Sequence, residues 1–184
     1  MIECNEVYRP DDDTFLLLGC VEVSRDERVL EVGCGTGIIS IHCAKAGAKV
    51  TAMDINPRAV DCAYENAALN GVHITALLSD LFEMVKGRFD LVIFNPPYLP
   101  LSEEGDLEKA WAGGEGGIKV VDRFLNEVAD HLTPYGRVLL LISSKMNLDE
   151  LFSRHGDFSR MTIASRRFFF EELSVVELRI AKEE

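Results

Sequence analysis

Arg28-Val29-Leu30-Glu31-Val32-Gly33-Cys34-Gly35-Thr36-Gly37-Ile38 decides the fold class of this 184-residue chain. Arg28–Val32 has the length and apolarity of a short buried strand. The glycines behind it permit a tight turn and let the backbone approach a ligand, and a helix opens there, from about Ile38 to Ala46. The same alternation runs outward from this unit. Lys49–Met53 reads as a second strand. Pro57 then opens a helix to Asn70, closed by Gly71, the usual placement of proline at a helix start and glycine past its end. Val72–Leu78 and Phe89–Phe94 read as the third and fourth strands. After a glycine-rich loop come a helix near Ile118–His131, a strand Val138–Ile142 and a short helix near Leu148–His155. The strands Arg160–Ala164 and Ser174–Ile180 complete the pattern. Alternation of this kind implies a mostly parallel, doubly wound α/β sheet with helices on both faces and right-handed crossovers. No repeat, low-complexity tract or linker divides the chain, so 1–184 is expected to form one domain.

Composition bounds the partners. The chain is 47% hydrophobic and 27% charged, enough to bury a substantial core. No stretch approaches the roughly 18–20 apolar residues of a membrane span, and Met1-Ile2-Glu3-Cys4-Asn5-Glu6 is too polar for a signal peptide. The formal net charge is −12, and the densest basic pair is Arg166-Arg167. A nucleic-acid binder acting alone needs a basic stripe to neutralise phosphates; direct binding of nucleic acid is therefore not expected. Cys4, Cys20, Cys34, Cys43 and Cys62 form no CxxC pair, which indicates neither a zinc site nor a disulfide framework. A reducing cytoplasm is the expected compartment, with no metal.

The glycine spacing is G-x-G-x-G over Gly33, Gly35 and Gly37, not the G-x-G-x-x-G of dinucleotide folds. Glu31 stands two residues before the first glycine. A carboxylate there repels a pyrophosphate and attracts an ammonium, and S-adenosylmethionine carries an ammonium and no phosphate. Asp54 ends the second strand about 20 residues past the glycines, the usual place for a carboxylate that grips a ribose diol. Asp54 also suits a helix cap, although Asn56 is better placed for that role. Ser79-Asp80-Leu81 follows the third strand. Asp80 there can accept from an adenine amino group or serve as a plain turn carboxylate, and Leu81 can pack on the ring.

Asn95-Pro96-Pro97-Tyr98 ends the apolar run Phe89-Asp90-Leu91-Val92-Ile93-Phe94. Two prolines donate no backbone hydrogen bond and press the residues before them into extended geometry, so Asn95 and Pro96 are held rigidly at the strand's carboxyl end. Open α/β sheets bind ligands at that end. A fixed carboxamide oxygen, a free proline carbonyl and an aromatic ring suit a planar –NH2 group. An amide nitrogen is a poor nucleophile, so catalysis there consists of positioning the group and favouring the charge that develops on it. His42, His73, His131 and His155 are dispersed and read as surface or helix-end residues; Cys34 reads as a small buried residue.

These residues together resemble the class I S-adenosylmethionine methyltransferases with an N-P-P-Y motif. Val7-Tyr8-Arg9-Pro10-Asp11-Asp12-Asp13-Thr14-Phe15-Leu16-Leu17-Leu18 is similar to the Y-x-P-x-x-D-T-F-L-L opening of one branch, the short archaeal and eukaryotic form of the HemK-like release-factor glutamine methyltransferases. Ala110-Trp111-Ala112-Gly113-Gly114 to Gly117, Val121-Asp122-Arg123-Phe124-Leu125 and Glu172-Leu173-Ser174-Val175 are similar to the same branch. Glu115 stands where some relatives carry a basic residue. The longer bacterial form has an extra N-terminal helical domain, for which these residues leave no room.

The resemblance implies a Rossmann-like, seven-stranded sheet in the order 3-2-1-4-5-7-6. It places the cofactor, S-adenosyl-L-methionine, on Thr14, Glu31, Gly33, Gly35, Gly37, Asp54, Ile55, Asp80, Leu81 and Asn95. Asn95, Pro96 and Tyr98 would be catalytic; Asn95, Pro97, Tyr98 and Trp111 would meet the substrate. Residues 1–25 would form a segment that closes the site. The implied acceptor is the glutamine of the Gly-Gly-Gln loop in a class I translation release factor. Methylation of adenine N6 in nucleic acid, methylation of protein lysine and a non-catalytic cofactor-binding subunit are the alternatives. In this strand order the third strand is an edge, and Val72–Leu78 lacks the lysines and prolines that guard exposed edges. The resemblance adds a small zinc-binding activator protein as partner, so a heterodimer pairing along Val72–Leu78 is expected.

Overall fold

The computed structural model describes residues 4–97, 118–169 and 171–181. Its centre is a seven-stranded sheet in the order β3-β2-β1-β4-β5-β7-β6, as expected. The strands are β1 (Arg28–Val32), β2 (Lys49–Asp54), β3 (Thr75–Leu78), β4 (Phe89–Phe94), β5 (Leu132–Ser143), β6 (Phe158–Arg167) and β7 (Glu172–Ile180). Pairing is parallel from β3 through β5, and β7 runs antiparallel to both β5 and β6. The inner strands are covered on both faces, which is why their sequences read as nearly unbroken apolar runs. Leu91, Val92 and Ile93 of β4 are fully buried, as are Val29 and Leu30 of β1.

Five helices are described: α1 (Asp12–Leu18), α2 (Ile38–Lys45), α3 (Pro57–Leu69), α4 (Ile118–Val128) and α5 (Leu148–Arg154). Asn56 caps α3, its side-chain oxygen accepting from Arg58 N at 3.0 Å. Val121, Phe124, Leu125 and Val128 form the buried stripe of α4, and the Phe124 ring meets Phe94 of β4 at 4.8 Å between centroids. Helix α1 was not read from the sequence. Asp11 caps it by accepting from Asp12 N at 2.7 Å, and Leu17 is fully buried. Among the described residues no helix is long and apolar enough to cross a membrane.

Several element boundaries depart from expectation, β6 running over Phe158–Arg167 rather than Arg160–Ala164 and β7 starting at Glu172 rather than Ser174. β3 starts at Thr75 rather than Val72, because Val72 N bonds back to Ala67 O and belongs to the exit of α3. β5 starts six positions before Val138. Thr133-Pro134-Tyr135-Gly136 resembles a turn and forms a bulge inside the strand: the ladder with β4 passes from Phe89–Leu132 to Leu91–Arg137, and a Cβ on Gly136 would lie 3.0 Å from Thr133 N. The helix near Ile118–His131 ends at Val128 and tightens into a 3-10 turn over Ala129–His131.

The cysteine reading needs a correction. Cys4 and Cys62 form a disulfide, with Cα atoms 6.2 Å apart across 58 positions of sequence. Spacing alone did not reveal the pair, because it depends on the N-terminal segment folding back onto α3. There Val7, Ala59 and Cys62 make a small apolar cluster with Cys4. Cys34 and Cys43 are free and buried, and Cys20 is free and half-buried.

Candidate active site

The order of the sheet reverses between β1 and β4: one neighbour of β1 continues to β2 and β3, the other to β4 and β5. Carboxyl ends of parallel strands open a crevice at such a point. The glycine turn and Glu31 at β1, Asp54 at β2, Asp80 beyond β3 and Asn95 after β4 are all brought to this end of the sheet.

The glycine turn uses left-handed backbone at Gly33, Gly35 and Gly37. At Gly37 a side chain is excluded twice, by φ +78 and because a Cβ would lie 2.9 Å from the Ala63 Cβ on α3. The Gly35 N–H donates to Asp54 Oδ2 at 3.0 Å, and Asp54 Oδ1 accepts from Asn56 N at 2.9 Å. Asp54 therefore braces the turn from β2, with only 6% of its surface exposed. Burial raises its carboxyl above the ordinary range, partly offset by the N–H groups of Asn56, Gly35 and Ile55. Ile55, beside it, is exposed.

Glu31 is 4% exposed at the end of β1. It accepts from Ser40 N at 2.8 Å and from the Ser40 hydroxyl, both on α2. Burial pushes its carboxyl up to about 8 despite those bonds, and Asp54 adds to the rise. Two buried carboxylates with the Gly35 N–H already committed make a poor cradle for pyrophosphate. They suit a ligand that brings an ammonium and hydroxyls.

Ser79 N donates to Asp54 O at 2.9 Å, and Ser79 Oγ donates to Leu81 O and accepts from Met84 N. This turn sets Leu81 in left-handed backbone with its side chain buried. Asp80 carries an ion pair that sequence reading missed, with Arg123 of α4 at 3.1 Å. Both partners are partly exposed, so the pair is weak in energy and leaves Asp80 reachable.

Asn95 leaves β4 with its side-chain Nδ2 donating to Asp13 Oδ2 at 3.1 Å. Its Oδ1 is the one buried side-chain nitrogen or oxygen without a hydrogen-bond partner among the described residues. Pro96 is buried and Pro97 half-buried. Tyr98 and Trp111 lie outside the described residues. Thr14 is buried, with its N and Oγ1 donating to Asp13 Oδ1 at 2.5 and 3.1 Å.

The N-terminal segment crosses this end of the molecule. Glu6 O accepts from Asn56 Nδ2 at 2.8 Å, and Glu6 pairs with Arg58 at 2.6 Å. A Cβ at Gly35 would lie 3.6 Å from Tyr8 O, so the segment rests against the glycine turn. Tyr8 OH donates to Asp13 Oδ2 at 3.0 Å, and burial followed by Asp13 raises its phenol far above the ordinary value. Tyr8, Asp13 and Ser40 were given no role from the sequence, although Tyr8 and Asp13 stand at the Y and D of the quoted opening motif.

Comparison with known proteins follows the same lines. The methyltransferase small domain model matches residues 7–170. A Methanocaldococcus jannaschii chain, provisionally named a protein N5-glutamine methyltransferase, is 44% identical over 93% of this chain and 90% of its own length. Human methyltransferase HEMK2 is 38% identical over 94% of this chain and 89% of its own. Among solved structures, the E. cuniculi Mtq2-Trm112 complex, described as responsible for methylating the eRF1 translation termination factor, superposes with a TM-score of 0.77. It does so at 22% identity over 96% of this chain and 99% of that one.

Proposed function

The chain belongs to the methyltransferase small domain family, and from that premise we propose that it methylates the glutamine side-chain amide of a class I translation release factor, using S-adenosylmethionine. One observation carries the acceptor reading: the unpartnered Asn95 Oδ1 at the carboxyl end of β4. A buried acceptor without a donor is costly, and a substrate amide N–H is the missing donor. The Pro96 carbonyl takes the second N–H. The two acceptors aim the nitrogen and favour the positive charge that develops on it. S-adenosylmethionine, when bound, would supply an electrophilic methyl to that nitrogen, its sulfonium leaving as a neutral thioether and the nitrogen giving up one proton. The family resemblance assigns Pro97, Tyr98 and Trp111 to the substrate, with the Tyr98 ring as the group suited to an amide plane.

On the cofactor side, Glu31 would take the ammonium, Asp54 the ribose hydroxyls, Asp80 the adenine amino group and Leu81 the ring. Ile55 and the turn at Gly33, Gly35 and Gly37 complete the wall. Thr14 would lie over the methionine end, and residues 1–25 would close the site. A translation factor as acceptor makes the reaction cytoplasmic.

The assay is transfer of labelled methyl to a Gly-Gly-Gln release factor, with the glutamine replaced in a control, beside adenine-containing DNA and lysine peptides. Label on the glutamine alone is expected. Label on adenine or lysine instead overturns the reading.

The raised Glu31 carboxyl gives cofactor binding a definite pH dependence. Below about pH 8 the free protein holds Glu31 largely protonated, and the incoming ammonium favours its anion, so binding releases a proton and tightens as pH rises. Above that, the cofactor's amine, with an ordinary pKa of about 7.7–8.0, loses its own proton and binding weakens. Calorimetry should show an affinity maximum near pH 8, with an acid limb approaching about tenfold per pH unit. Glu31→Gln should flatten that limb. A flat profile in the wild type removes Glu31 from the ammonium site.

The edge of the sheet is the proposed seat of a small zinc-binding activator. Among the described residues β3 pairs only with β2, and Thr75 and Leu78 are exposed. Ser79 N points to β2, so by the two-residue period the N–H groups of Ala76 and Leu78 point outward and those of Thr75 and Leu77 inward. Ala76→Pro removes an outward donor. It should abolish capture of the activator in a pull-down while cofactor binding persists; Thr75→Pro, which breaks a bond to β2, should lower the melting temperature instead. Full capture by Ala76→Pro would place the partner elsewhere.

A further inference from the structure

We propose that Asp13 is the positioning residue that fixes which way the Asn95 amide faces, and so makes Asn95 an acceptor for the substrate. The inference rests on the reading of Asn95 as the group that holds the acceptor nitrogen.

A carboxamide is nearly symmetrical in shape but opposite in chemistry at its two ends. Turned one way, Asn95 offers an acceptor to the acceptor nitrogen; turned the other, it offers N–H against N–H. Nothing in Asn95 itself selects between them. A carboxylate can only accept, so the Asn95 NH2 must face Asp13, and the contact at 3.1 Å leaves Oδ1 on the other side. The unpartnered Oδ1 follows from that choice.

Asp13 is itself well held. Its Oδ1 takes the backbone N–H of Thr14 at 2.5 Å and the Thr14 hydroxyl at 3.1 Å, while its Oδ2 takes Tyr8 OH at 3.0 Å together with Asn95. Only 4% of Asp13 is exposed, so water does not compete for these bonds. The residues involved come from the N-terminal segment, α1 and the end of β4. Orientation of the catalytic amide therefore depends on docking of the segment that crosses the glycine turn.

Asp13→Asn tests this with almost no change in volume. The fixed Thr14 N–H keeps an acceptor opposite it, so the new NH2 falls toward Asn95 and Tyr8. Asn95 must then turn over. We expect kcat for methyl transfer to fall at least thirtyfold, with cofactor affinity within threefold of wild type. In nitrogen–proton spectra the Asn95 side-chain NH2 pair, assigned by its loss in Asn95→Ala, should move. Asp13→Glu should not rescue turnover, because its longer arm displaces the carboxylate. Turnover of Asp13→Asn within threefold of wild type overturns the proposal, as does a loss explained wholly by weaker cofactor binding. Should the variant fail to fold, the wild-type spectrum decides: one Asn95 amide proton shifted and protected by a strong acceptor supports the proposal, and two freely exchanging protons overturn it. A wild type that methylates no glutamine refutes the functional reading separately, since the spectra still report the Asp13 contact.

Discussion

Asn95→Ala abolishes methyl transfer while leaving cofactor affinity within about threefold of wild type. The expectation follows from where the Asn95 atoms point. Its Nδ2 is used internally by Asp13, and its buried Oδ1 has no partner among the described residues, so the group lost is the one reserved for the acceptor. Removing a preorganised hydrogen-bonding group that acts on developing charge costs about 2.7–4 kcal/mol, or about 10²–10³ in kcat. Loss of aim on a weakly nucleophilic amide adds to that, because near-attack alignment supplies a large share of such barriers. Cofactor affinity and single-turnover rate measured on one sample separate the two effects. Turnover within threefold of wild type would overturn the assignment of Asn95. Equal losses in affinity and turnover would move it to the cofactor.

Asp54→Ala has the second largest effect, on binding rather than on chemistry. A charge-assisted hydrogen bond to a ribose hydroxyl is worth about 1.5–3 kcal/mol, or about 10- to 150-fold in affinity. The structure adds a reason to expect the upper part of that range. Asp54 also holds the Gly35 N–H at 3.0 Å and the Asn56 N–H at 2.9 Å, so its loss frees the glycine turn and unpairs two donors. Asp54→Asn keeps one acceptor for one of them and should lie between wild type and alanine. Calorimetry showing unchanged affinity in Asp54→Ala, with the fold intact by circular dichroism, removes Asp54 from the site.

The sequence by itself determined the order of elements from β1 onward, the class of sheet and the end of it where the candidate site residues gather. Those features are local. An apolar run, a glycine turn and a capped helix declare themselves within a few residues, and crossover handedness then leaves few arrangements. Glu31, Asp54, Asp80 and Asn95 were legible for the same reason: each stands at the end of a strand whose length can be read from hydrophobicity. Asn56 as the cap of α3 was legible from its place before Pro57.

Tertiary structure alone decided what those groups touch. Asp13 and Asn95 are 82 residues apart, Asp80 and Arg123 are 43 apart, and Cys4 and Cys62 are 58 apart. Periodicity carries no information across such separations. The extent of β3 and β5 was also settled at a distance: Val72 is drawn back onto α3, and β5 reaches back to Leu132 because its ladder with β4 resumes there, beyond the bulge of its turn-like residues. The orientation of the Asn95 amide belongs to the same class. Its two ends are sterically alike, so only a neighbour able to accept and unable to donate can choose between them, and the fold places Asp13 there.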